Sequence, residues 1–213
     1  MNLQKIIGVS FIVFLLQAVC VMGQSGQKSG EWLSLFNGKD KTGWKINENA
    51  GSWQIEDGAL ICKGERSHIF YIGEQAPFKN FHFKCKVMTQ PGANAGIYFH
   101  TKFQETGWPH AGFEAQVNNT QSDPKRTGSL YGIVDVLEAP AKDNTWFTEE
   151  IIVRENNIKI VVDGKTVVDY TEPKDHKAGS PFTRKLDKGT FAFQAHDPES
   201  KVYFKDVMVK KLD

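Results

Sequence analysis

Three short runs of this 213-residue chain place chemically useful side chains at every second position. Tyr98 and His100 alternate with Ile97 and Phe99. Glu114, Gln116 and Asn118 alternate with Phe113, Ala115 and Val117. Gln194 and His196 alternate with Phe193 and Ala195. A solvated strand face ordinarily carries residues such as Lys84 and Lys86. These runs instead carry amides, a carboxylate, a phenol and two imidazoles. Such groups supply the directional hydrogen bonds and the stacking surface that a hydroxyl-rich ligand requires. Glu114 and His196 are also able to take or give a proton.

The elements that must position these groups are strands. Alternation puts Glu114 and Gln116 on one side of a strand, roughly 7 Å apart. If the three strands are neighbours, all the polar side chains share one surface; if not, they are three unrelated polar faces. Two further segments could border a sugar site. Residues 126–132 hold Arg126 and, between two glycines, Tyr131, and Trp108-Pro109-His110 leads into the Glu114 run. Aromatic faces pack on the C–H face of a pyranose, and Arg or Lys can clamp an oxyanion.

Period-two patterning recurs through the rest of the chain, with no capped stretch of helical period. Phe81, Phe83, Cys85 and Val87 alternate with polar residues, as do Ile158, Ile160 and Val162. Asp57-Gly58 and Asp163-Gly164 stand between apolar runs as hairpin turns. Roughly a dozen short antiparallel strands in one unit predict an all-β sandwich or jelly roll. A short helical turn is expected near residues 76–80. Residues 120–127 and 172–188 read as long polar loops, a common place for function.

Residues 1–23 have the pattern of a secretory signal peptide: Lys5, an apolar stretch over 6–21, then small Gly23. A disordered polar linker over 24–30 and one domain over 31–213 follow. A secreted or periplasmic location is the expectation. The apolar stretch is short for a membrane span, so the one membrane link expected is a lipid anchor on Cys20, for which Gln17-Ala18-Val19 is a poor lead-in. Cys62 and Cys85 read equally as a disulfide or as buried free thiols. A formal net charge of +1 gives no reason to expect nucleic acid, and a small carbohydrate is the expected partner.

In order and spacing the chain resembles the 3-keto-disaccharide hydrolase family. The matching pieces are residues 32–40 with Trp44; Trp53 with Asp57-Gly58-Ala59-Leu60; Asn94-Ala95-Gly96-Ile97-Tyr98-Phe99; residues 112–117 with 127–132; and Phe193-Gln194-Ala195-His196. Three departures stand out: Asn94-Ala95-Gly96 replaces Asn-Ser-Gly, His100 stands where arginine is common, and Trp146-Phe147 replaces a Trp-Asn pair. The resemblance implies a concanavalin-like jelly-roll sandwich of two antiparallel sheets, acting on glycosides already oxidised at C3. A ketone at C3 acidifies the C2 proton, and a positioned base can remove it. The resulting enolate expels the C1 substituent, and water can add afterwards. On that chemistry Glu114 or His196 is the base, with Arg126 or Lys125 and Tyr131 supporting the oxyanion or the leaving group. Tyr98, Gln116 and Gln194 orient hydroxyls, and His100 and Trp108 complete the substrate contacts. His100, Glu114 and His196 are the alternative ligand set for a divalent metal. A lectin-like binding module on the same scaffold is the non-catalytic alternative.

Overall fold

The computed structural model describes residues 30–213. The signal peptide over 1–23, Cys20, and all of the 24–30 linker except Gly30 lie outside the described residues. The strands are β1 (Trp32–Ser34), β2 (Trp44–Ile46), β3 (Trp53–Glu56), β4 (Ala59–Lys63), β5 (Ser67–Tyr71), β6 (Phe81–Thr89), β7 (Asn94–Thr101), β8 (Phe113–Asn118), β9 (Phe147–Arg154), β10 (Asn157–Val162), β11 (Lys165–Thr171), β12 (Thr190–Ala195) and β13 (Lys201–Lys211). An eight-stranded sheet runs β11-β10-β9-β6-β13-β4-β3, with β1 also paired to β13. A five-stranded sheet runs β2-β5-β12-β7-β8. Both are antiparallel. This is the expected concanavalin-like jelly roll.

The apolar half of each alternating run faces inward. Phe81, Phe83 and Val87 of the large sheet meet Ile97, Phe99, Phe113 and Phe193 of the small one in a single buried cluster. Rings from the two sheets stack directly, Phe193 on Phe204 at 4.3 Å and Phe83 on Phe191 at 4.6 Å between centroids. Each such side chain contributes about 1.5–3 kcal/mol on burial. A one-residue slip would turn a whole strand's set to solvent, so the core fixes the register. The register in turn fixes what the outer face of the small sheet displays.

The β7–β12 pairing contains an irregularity that matters for that face. Thr190 pairs with Thr101 and Ala192 with Tyr98, so β7 carries one residue more than β12 between these pairs. The extra residue is taken up near His100, whose φ is 52°. Such a bulge breaks alternation.

Two expectations are settled here. Residues 76–80 form no helix; Phe78 pairs as an isolated bridge with Gly189, and among the described residues a 3-10 turn over Ala50–Ser52 is the only helical element. Cys62 and Cys85 are free, buried thiols, and burial pushes Cys62 up to about 12.

Candidate active site on the five-stranded sheet

Glu114, Gln116, Tyr98 and Gln194 all lie on the outer face of the small sheet, on the adjacent strands β8, β7 and β12. Register pairs Tyr98 with Glu114 and Gly96 with Gln116. Gln194 stands across from Gly96, since Phe193 pairs with Ile97. These side chains line a cavity of about 300 Å³, walled by Asn94, Trp108, Phe113, Asp123, Tyr131, Phe182, Arg184 and His196. The volume is at the small end for ligand pockets.

Glu114 is held by its neighbours. The Tyr98 hydroxyl donates to Oε2 at 2.8 Å, and Gln194 Nε2 donates to Oε1 at 2.8 Å. Gly96 makes this possible: a Cβ there would stand 2.3 Å from Glu114 Oε1. Burial pushes the Glu114 carboxyl up to about 7, against the lowering effect of the Tyr98 and Gln194 hydrogen bonds and the Arg184 charge. A carboxyl in that range is matched to proton transfer near neutral pH. Beside it, Gln116 Nε2 donates to Asn94 Oδ1 at 3.3 Å.

His196 follows the end of β12. Its Nδ1 donates to Asp197 Oδ2 at 2.6 Å. Asp197 is itself fixed by the Ser200 hydroxyl at 3.0 Å and by the Glu199 and Ser200 amides, both at 2.9 Å. Burial works to raise the Asp197 carboxyl, but the His196 and Ser200 hydrogen bonds outweigh it and the net shift is downward. The carboxylate fixes the imidazole's tautomer and orientation and leaves Nε2 for chemistry. The Trp108 ring lies 5.4 Å from the His196 ring.

Tyr131 lines the far wall and donates to Asp123 Oδ2 at 3.1 Å. Arg184, on the loop between β11 and β12, supplies the cavity's guanidinium. It packs so closely on Gly132 that a Cβ there would stand 2.4 Å from its Cζ.

Three expected residues are placed elsewhere. His100 is turned away from the cavity by the bulge. Its Nε2 donates to the Lys79 carbonyl at 2.8 Å, its Nδ1 accepts from the Asp187 amide at 3.3 Å, and its ring packs on Phe81. Arg126 braces its own loop: Nη1 donates to Asn118 Oδ1 and to the Gln121 and Asp123 carbonyls at 3.3, 2.6 and 3.0 Å. Lys125 lies over the Tyr131 ring at 4.9 Å and is not part of the cavity wall. With His100 gone, the trio imagined for a metal does not assemble, and among the described residues no group of three His, Cys, Asp or Glu side chains is placed to hold one. Asp123, Phe182, Arg184 and Asp197 were not singled out from sequence. Asp197 had one signal, its position directly after His196.

His68, also not singled out, lies on the same face one strand further on. It pairs with Gln194 across β5 and β12 and sits beneath Trp108. Burial depresses it to about 3, so its imidazole is neutral.

A jelly roll with amides, aromatics and poised ionisable groups on one open sheet face is a class of protein suited to a carbohydrate ligand. More narrowly, the chain belongs to the family described as the 3-keto-alpha-glucoside-1,2-lyase-like domain, matched over residues 31–210. Among solved structures, two proteins from Parabacteroides distasonis provisionally named as glycosyl hydrolases share the fold. One is 24% identical, with a TM-score of 0.72 over 85% of this chain and 94% of its own. The other is 20% identical, with a TM-score of 0.68 over 85% and 100%. A carbohydrate-binding module from Bacillus subtilis is 13% identical, with a TM-score of 0.58 over 79% and 96%. No curated protein matches the chain.

Proposed function

We propose that this protein cleaves 3-keto-glycosides by removing the C2 proton and eliminating the C1 substituent. The observation that carries this reading is Glu114: a carboxyl with both oxygens oriented, facing a sugar-sized cavity, with its ionisation moved to about 7.

Glu114 acts as the base. The C2–H electrons form the C2=C3 bond of an enolate, whose C3 oxygen carries the negative charge. Arg184 is the cationic group available to stabilise that oxygen, with Tyr131 beside it. The enolate collapses to restore the C3 ketone and form C1=C2, and the C1–O1 bond breaks. His196, oriented by Asp197, delivers the proton to O1. Addition of water across C1=C2 would convert elimination into net hydrolysis. Gln116 and Asn94 bind hydroxyls, and Trp108 and Phe182 pack on the ring.

The likeness to a carbohydrate-binding module supports a second reading, a lectin. A lectin has no use for a carboxyl raised to about 7, because a buried, perturbed acid costs stability and adds nothing that an amide would not.

The test is incubation with a panel of 3-keto-glucosides, with products followed by mass spectrometry. The expected outcome is cleavage that falls by about 10²–10⁴-fold in Glu114→Gln and in His196→Ala, with both variants folded. The wild-type kcat/KM rises with pH through about 7 as Glu114 loses its proton, and Glu114→Gln lacks this limb. Full activity in both variants overturns the assignment. Binding of sugars with no turnover of any keto-sugar favours the lectin.

A further inference from the structure

Lys84 and Lys86 read from sequence as part of an ordinary solvated strand face. The structure gives them a more particular setting, on the outer face of the large sheet and so on the side of the molecule opposite the cavity. Trp32, Lys84, Lys86, Thr148, Asp206 and Met208 wall a second hollow there, of about 320 Å³. It is as large as the first. A bulge lies at its rim. Lys205 pairs with Lys86 and Met208 with Lys84, so β13 carries one residue more than β6 between these pairs. Asp206 takes up the excess at φ 52°. Bulges re-aim side chains and are over-represented beside functional sites.

The charges around the hollow do not cancel. Lys86 stands directly opposite Lys205, and like charges so placed cost stability. Glu150 stands opposite Lys84 but turns to His82, whose Nε2 donates to it at 2.6 Å. Asp206 pairs with Lys86 at 3.7 Å. Lys84, Lys205 and Lys210 make no ion pair among the described residues. Their ammonium groups lie over aromatic rings instead. Lys84 and Lys210 lie 4.2 and 4.9 Å from the Trp32 ring, and Lys205 lies 4.0 Å from the Trp146 ring. Lys201 repeats the arrangement over Tyr203 at 4.8 Å. From Lys210 to Lys201 this ribbon of rings and ammonium groups follows β13 for roughly 30 Å.

We propose that the outer face of the large sheet is a second binding surface, separate from the cavity, that takes an anionic polysaccharide. A cation–π contact at an exposed site is weak. An arriving pyranose can therefore replace the ammonium on an indole face while the ammonium pairs with the sugar's acidic group. Trp32 and Trp146 are the platforms, and Lys84, Lys86 and Lys205 supply the counter-charge. The Thr148 hydroxyl and the Asp206 carboxylate are hydrogen-bonding partners for ring hydroxyls in the hollow. The length of the ribbon suits a polymer that touches it at several units. A bilayer is a poorer fit. Trp32, Trp146 and Tyr203 are half-buried, and the exposed large apolar residues Ile72 and Leu137 belong to none of these strands, so nothing apolar projects from the face. A polymer held here leaves the cavity open on the other side.

The experiment measures Kd by calorimetry for polygalacturonate, dextran sulfate and neutral dextran. Wild type is expected to bind at least one of the two anionic polymers at least tenfold more tightly than dextran, and less tightly as salt is raised. The carboxylated and sulfated polymers show which acidic group is preferred. The combined variant Lys84→Gln, Lys86→Gln and Lys205→Gln keeps side-chain length and removes the charge. It and Trp32→Ala should each weaken binding at least tenfold. If Trp32→Ala fails to fold, the lysine variant decides alone. Unchanged affinity in a folded variant overturns the surface. So does equal affinity for dextran, the absence of binding by wild type, or binding to phosphatidylserine vesicles with neither anionic polymer bound. No keto-sugar enters the measurement, so the surface is judged independently of the proposed reaction. Cleavage of a soluble 3-keto-glucoside should be the same in the lysine variant as in wild type.

Discussion

Gly96 shows how much the site depends on a missing atom. Its φ is not in the left-handed region, so the backbone there would accept alanine. What it cannot accept is a Cβ 2.3 Å from Glu114 Oε1. The carboxylate lies over the bare strand, where Tyr98 and Gln194 reach it from either side. Gly96→Ala should leave the melting temperature unchanged or slightly higher, because glycine inside a strand costs roughly 0.5–1 kcal/mol against alanine. It should nonetheless lower kcat/KM about 100-fold, the usual effect of displacing a catalytic group by about 1 Å. Thermal denaturation and steady-state kinetics on one preparation check both halves; parallel loss of stability and activity would make Gly96 merely structural. The neighbouring Ala95, where the family usually has serine, is buried in the core on the opposite face. That departure therefore does not touch the cavity.

At the scale of elements, strands and loops differ in what sequence reveals. Alternation made Tyr98, Glu114, Gln116 and Gln194 legible as one polar face, because a strand's side-chain direction is fixed by its period. It misplaced His100, because a bulge does not announce itself in the pattern. It also pointed to Arg126, whereas Arg184 lines the cavity. Arg126 and Arg184 both sit in polar loops, and which of them reaches the cavity is decided by local acceptors. The Gln121 and Asp123 carbonyls take the Arg126 guanidinium. The Arg184 loop is instead anchored by its backbone: the Thr183 amide donates to the His110 carbonyl at 2.8 Å, the Gly112 amide to the Thr183 hydroxyl at 3.1 Å, and the Leu186 amide to Glu172 Oε2 at 2.9 Å. Its guanidinium lines the site between Gly132 and the Phe182 ring. Arg184→Ala should lower kcat/KM by about 10²–10³-fold, the cost of one oxyanion-stabilising donor. It should also move the rising limb of the pH profile above its wild-type position near 7, since the Arg184 charge helps to hold the Glu114 carboxyl down. A limb that stays in place, or shifts to lower pH, contradicts the pairing.

Across the whole molecule the two sheets divide the work, one presenting the site and the other completing the core that supports it. The large sheet carries an anomaly in that core. Glu149 on β9 is 0% exposed, lies opposite Cys85 of β6, and has neither carboxylate oxygen hydrogen-bonded among the described residues. Burial alone raises it well above the ordinary range, so the folded protein holds it protonated. The unfolded chain releases that proton above about pH 4.5. Above this pH the folded state binds more protons than the unfolded state, and stability must fall as pH rises, by up to about 1.4 kcal/mol per pH unit, until the folded carboxyl itself ionises. Glu114 contributes with the same sign between about 4.5 and 7, so wild type alone cannot separate the two. Glu149→Met fills similar volume with no charge to bury. The difference in unfolding free energy between Glu149→Met and wild type isolates the buried acid, because Glu114 is common to both. That difference should be small at pH 4.5 and grow steadily in favour of the variant toward pH 8, as read from urea midpoints. A gap that does not change with pH would mean that Glu149 meets solvent or a partner in the folded protein.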